Sequence, residues 1–251
     1  LAANPVIVQS LASASSSAAP ASFSPAFAAT AAGNLLVAIC AYAASGAVSL
    51  TPPAGWQTTG VVISPGNTIG GRILYLPNNP GGVTTVALTG LAGINGIAVA
   101  LLELSAMLLL NPLGQLSTAA SNSSTTPASG ALTPTIANAL WLGYEADLTG
   151  QAYTPANLPS AAGYWATGPT ATSTVGATNA VLRAYTSLPG PMAPPGGVMS
   201  LAGTLAGALA NVAGLVAMLS VNASQLVNAG TGQTSDVMVV AGGAGGSIGS
   251  A

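Results

Sequence analysis

Gly33-Asn34-Leu35-Leu36-Val37-Ala38-Ile39-Cys40-Ala41-Tyr42-Ala43 is the stretch on which the fold turns. Gly33-Asn34 is turn punctuation, and the apolar run from Leu35 to Ala43 that follows it predicts a strong β-strand. Outward from it, Asn4 to Ser10 reads as an opening strand, and a Ser/Ala/Pro-rich passage continues to about Ala32. Downstream, Thr51-Pro52-Pro53-Ala54-Gly55-Trp56 is a turn that ends in an aromatic anchor. Arg72 to Leu76 and Val83 to Leu88 are shorter strands parted by Pro77-Asn78-Asn79-Pro80-Gly81-Gly82, and Ile94 to Leu104 is long and apolar. Strands at intervals of roughly ten residues, with Gly, Pro and Asn between them, are the pattern of a sandwich or barrel.

The composition agrees. Half of the 251 residues are apolar, enough for a sizeable core, and Ala is the commonest of them. A helical bundle would want Glu, Lys and Arg as well, and a disordered chain would be poor in apolar residues and rich in charge. The length suits one large β domain or two small ones.

Charge is nearly missing: four acids, two arginines, no lysine and no histidine. An ordinary domain is about a quarter charged, and charge of both signs keeps free monomers apart. With only Arg72 and Arg183 there is no basic patch for phosphates, so nucleic-acid binding is excluded on electrostatic grounds. Cys40 is the single cysteine, so no intrachain disulfide can form; within its apolar run it reads as a small buried hydrophobe. Leu1 in place of Met fits removal of a leader or a numbering that starts inside the chain, and the expectation is an exported protein.

A polar bridge, Ser117 to Gly130, divides the chain, and the pattern then repeats weakly. Asn34-Leu35-Leu36-Val37-Ala38 is echoed by Asn138-Ala139-Leu140-Trp141-Leu142, and the approach to Trp56 by Ala162-Gly163-Tyr164-Trp165. Arg72-Ile73-Leu74-Tyr75 is echoed by Leu182-Arg183-Ala184-Tyr185, and the Ile94 to Leu104 strand by Asn211 to Val221. The expectation is an all-β, jelly-roll-like sandwich over residues 1–225, built from halves of about 1–116 and 131–225, with a Gly-rich tail at 226–251. Val198 to Val221 carries no charge and is long enough to span a bilayer. Its glycines and the lack of flanking Lys or Arg favour two strands joined near Gly207 over a transmembrane helix.

Gly33 to Ala38, Pro52-Pro53-Ala54-Gly55-Trp56, and Leu101-Leu102-Glu103-Leu104-Ser105 with Asn111-Pro112-Leu113 together resemble a recurrent β-sandwich domain of phage tail, virion-surface and secreted bacterial proteins. The likeness runs from Pro5 to Gln225 and leaves the tail after Asn228 outside. It implies a jelly-roll-like sandwich on a virion or cell surface, and it brings no catalytic residues to carry over.

Candidate chemistry is sparse. Glu145 and Asp147, two apart on a strand, share a face, and a glycosidase needs two carboxylates across a sugar. Nothing places this pair in a cleft, so strand-end charges or partners for Arg72 and Arg183 is the preferred reading. No calcium or zinc ligand set is present in the sequence, and neither a cofactor nor an enzyme activity is expected. Val237 to Gly246 resembles a dinucleotide-binding glycine loop only superficially, since the helix that the motif requires has no room before Ala251. Asp236, Val237, Met238, Val239 and Val240 instead predict a tail strand, added either to a neighbouring copy or to the chain's own sheet. Asn122 and Asn222 head glycosylation sequons. Trp56, Trp141 and Trp165 read as core anchors ahead of a sugar-stacking platform.

These observations lead to a non-enzymatic structural subunit, extracellular or on a cell or virion surface, that assembles with its own copies through uncharged faces. The alternative is a carbohydrate-binding adhesin module.

Overall fold

The computed structural model describes residues 4–15, 20–46, 48, 50–137, 139–155, 165–173, 179–187, 200–221 and 224–225. The chain is all-β. In chain order the strands are β1 (Val6–Ala14), β2 (Leu35–Ala44), β3 (Gln57–Thr58), β4 (Val62–Ile63), β5 (Ile69–Leu76), β6 (Ile94–Ser105), β7 (Leu113–Ser124) and β8 (Ile136–Ala137). They continue with β9 (Leu140–Leu148), β10 (Tyr153–Pro155), β11 (Trp165–Thr172), β12 (Ala180–Ser187), β13 (Gly203–Leu205), β14 (Leu209–Met218) and β15 (Ser224–Gln225).

Two antiparallel sheets carry the body. The first has the order β1-β6-β2-β5-β3, with β4 also paired to β5, and the second has the order β11-β12-β9-β14-β7. Leu35, Val37, Ile39, Ala41 and Ala43 of β2 face a shared core that Leu140, Leu142, Tyr144 and Ala146 of β9 enter from the other sheet. Alternate residues of a strand point to opposite faces, so Leu36, Ala38, Cys40, Tyr42 and Ala44 turn outward. That outer face is also covered, by Phe27, Leu50, Val86, Leu88 and Leu91. Burial on both faces is why β2 reads as an unbroken apolar run with no polar alternation.

Three segments depart from the sequence pattern or sharpen it. Val83 to Leu88 is not a ladder strand: it makes single bridges, Thr85 to Ala26 and Leu88 to Phe23, and lays Val86 and Leu88 over the first sheet. The polar segment read as a bridge from Ser117 holds most of β7, an edge strand on β14. An edge strand is held by its backbone bonds on one side, so it needs little apolar signal. Val198 to Val221 does divide near Gly207, into β13 and β14, and no helix among the described residues is long and apolar enough to cross a membrane. The tail residues Asp236 to Val240 lie outside the described residues.

Glycines let large rings cross the sheets. A Cβ on Gly214 would come within 2.3 Å of the Tyr144 ring, and one on Gly71 of the facing sheet within 2.6 Å of the same ring. Tyr144 thus occupies space that only hydrogen-sized side chains leave open on both sides of the core.

Candidate functional site

The outer face of the second sheet gathers three of the five charged side chains among the described residues. Glu145 and Asp147 point the same way from β9, as their spacing requires, and Arg183 stands on the neighbouring strand directly opposite Glu145. Arg183 Nη1 lies 2.5 Å from Glu145 Oε2 and 2.6 Å from Asp147 Oδ2. Its Nη2 donates to the Gln151 carbonyl, and its guanidinium carbon sits 5.5 Å from the centre of the Tyr153 ring. Tyr185 completes the group, its ring centroid 6.3 Å from that of Tyr153.

The cluster is internal. Both carboxylate side chains are 0 % exposed, which corrects the reading of solvated strand-end charges and leaves the pair off any surface cleft. Of the two partners expected for them, Arg183 takes both. Arg72 instead donates to Thr58 Oγ1 at 2.5 Å, to the Thr59 carbonyl and to the Leu50 carbonyl at 2.7 Å.

Two carboxylates facing one guanidinium carry a surplus negative charge away from water. Burial raises the Glu145 pKa most, the Asp147 charge raises it further, and Arg183 opposes both; the result is about 8. Burial also raises Asp147, against hydrogen bonds from Arg183 and from the Gly150 and Gln151 amides. Burial and the neighbouring Asp147 charge thus both favour the protonated form of Glu145, and a proton there removes the surplus charge. Its Oε1 has no hydrogen-bond partner, and neither has the buried Tyr153 hydroxyl.

Glu103 is handled differently. Gln9 Nε2, the Ala31 amide at 2.8 Å and Asn34 Nδ2 at 2.7 Å all donate to its carboxylate. Burial acts to raise its pKa, and these three donors outweigh burial and hold it below the ordinary carboxylate range. Gln9 also clasps Ala28, donating to its carbonyl and accepting from its amide. Gln115 makes the same two-sided clasp on Thr133 and Thr135. Sequence reasoning missed both glutamines.

The remaining candidates fall apart from one another. Trp141 is fully buried, and Trp56 packs against the outer cluster of the first sheet, so both are anchors. Trp165 pairs with Ser187 in the β11–β12 ladder. Cys40 is buried, with its pKa pushed up to about 12 chiefly by burial. Asn122 is exposed on β7 and its Oδ1 accepts from the Gly66 amide, whereas Asn222 lies outside the described residues. Among the described residues no group of His, Cys, Asp or Glu gathers that could hold a metal ion.

Comparison with known proteins finds no matching family model, no matching curated protein and no matching solved structure.

Proposed function

We propose that this chain is a non-enzymatic structural subunit that assembles with copies of itself into an extracellular filament, sheath or virion surface. One observation carries the reading: no charged side chain among the described residues is exposed. Glu103, Glu145 and Asp147 are buried, and Arg72 and Arg183 are partly buried and bonded internally. Among the described residues the surface is therefore still poorer in charge than the composition. Contacts between such faces desolvate almost no ions and escape that penalty. They are also insensitive to screening. Sedimentation and negative-stain imaging of the native protein test this. Large species that persist unchanged from low to high salt support it, and a monomer at high concentration in low salt overturns it.

We also read the sandwich as two copies of one unit, and the ladders support this position by position. Cys40 pairs with Arg72 and Val99 in the first sheet, as Glu145 pairs with Arg183 and Ala213 in the second. Ile7 opposite Leu104 matches Leu113 opposite Met218, and a register shift follows at once in both ladders. Bulges kept at one place are designed features. The Gln9 and Gln115 clasps take equivalent places, as do Trp56 and Trp165. On this reading β7 is the first strand of the second unit, Leu113 is the equivalent of Ile7, and Leu140 is the equivalent of Leu35. The echo that aligns Asn34 with Asn138 is then one residue out of step, which would turn every side chain to the wrong face. A jelly roll in the strict sense winds its strands between both sheets, whereas each main sheet here comes from one half of the chain. The likeness to a jelly roll is thus that of two packed antiparallel sheets.

A further inference from the structure

We propose that the exposed edge of β1 is an interface between copies of this chain, two β1 strands pairing antiparallel about a two-fold axis. The inference rests on the self-association reading and on the duplicated unit, and it names the surface used.

β1 ends the first sheet, and among the described residues its ladder partner is β6 alone. An edge strand leaves a row of backbone donors and acceptors that only another strand fully satisfies. Proteins that must avoid such pairing blunt the edge with charge, with proline, with bulges or with short strands. β1 runs nine residues, Val6–Ala14, without a charge or a proline, and its one irregularity is the register shift between Ile7 and Gln9, which β7 shares. It also shows Val6 at 52 % and Val8 at 51 % exposure, with Leu11 beyond them.

The second half supplies an internal comparison. β7 is the equivalent edge, and where β1 carries Val6, Val8 and Leu11 the register places Pro112, Gly114 and Ser117. Pro112 is buried, and the Ser117 hydroxyl is bonded to the Ser129 carbonyl. At these three places the β7 edge presents no exposed apolar side chain, whereas β1 presents Val6, Val8 and Leu11.

The same end of the molecule continues the apolar surface. Val6 pairs with Ser105, and just beyond it the turn presents Leu109 and Leu110. The exposed Val221 donates to the Ala106 carbonyl beside them. A second copy is the occupant that this chemistry fits. An uncharged edge meets itself without like-charge repulsion, and a two-fold pairing needs one patch only. The chain already makes one such contact internally: Met107 bridges Ser220 while Val221 donates to Ala106, so equivalent segments meet each other antiparallel.

Equilibrium sedimentation of the full chain tests this with Val8→Lys on β1 and Leu116→Lys on β7, both at exposed positions, with thermal melting as the check on folding. Lysines brought together across a two-fold edge repel, so Val8→Lys should weaken association by more than about tenfold, while Leu116→Lys leaves it unchanged. Association of Val8→Lys equal to the parent, or equal loss in both variants, overturns the β1 assignment and leaves self-assembly standing. A parent chain that is monomeric at every concentration overturns both. A monomer that begins to associate through β1 once residues 226–251 are removed assigns the edge to the chain's own tail and also overturns the proposal.

Discussion

Glu145 stands directly opposite Arg183 across the β9–β12 ladder, and the same guanidinium nitrogen that it contacts also reaches Asp147 from the other side. One cation between two buried carboxylates is an unbalanced set, and protonation of Glu145 is what balances it. In the folded chain Glu145 titrates at about 8, against an ordinary value of 4.5. Between those values the folded state holds a proton that the unfolded state has released. Stability therefore falls as pH rises through that window and levels off above it. Denaturant titrations at a series of pH values should show this decline, and Glu145→Gln, which keeps the neutral shape, should flatten it. An unchanged pH slope in Glu145→Gln would remove Glu145 as its source.

Arg183→Met takes the only cation from the cluster and leaves Asp147 buried without its partner. Breaking a buried pair in this way costs about 3–5 kcal/mol. The same change made together with Glu145→Gln and Asp147→Asn should cost clearly less, because no ion is then stranded. Midpoints of chemical denaturation for the single and triple variants check the difference; equal losses would mean that Arg183 matters by its packing alone.

Gly214→Ala should destabilise the protein by about 1–3 kcal/mol, the usual range for overpacking a filled core. Its new methyl group meets the Tyr144 ring, which Gly71 hems in from the opposite sheet. Adding Tyr144→Leu to Gly214→Ala should recover part of the loss. Thermal melting of the two variants decides, and additive losses would contradict the steric account.

Cys40 should be inert in the folded protein. It is buried, its pKa is pushed up to about 12, and the thiolate is the reactive form. A thiol-reactive dye should label it only at the rate of unfolding, and rapid stoichiometric labelling under native conditions would contradict its burial.

The Leu35 to Ala43 run was legible as a strand because apolar burial on both faces leaves a continuous local signature. Gly207 marked the break between β13 and β14 equally plainly. β7 was not legible, since Ser, Thr, Ala and Asn at an exposed edge look the same as a linker. That Glu145 and Asp147 share a face followed from their spacing of two. That the face is covered did not, because the cover comes from Gln151 and Tyr153, set over Arg183 by the β10–β13 pairing.

Strands, turns and a near-absence of charge can all be read along this chain in one dimension, because alternation, turn residues and composition are local properties. Where the few charges went depended on the packing, since burial is set by which distant segment lies over a face. That packing put Glu103, Glu145 and Asp147 inside and bonded Arg72 and Arg183 internally, so that among the described residues no charged side chain is exposed.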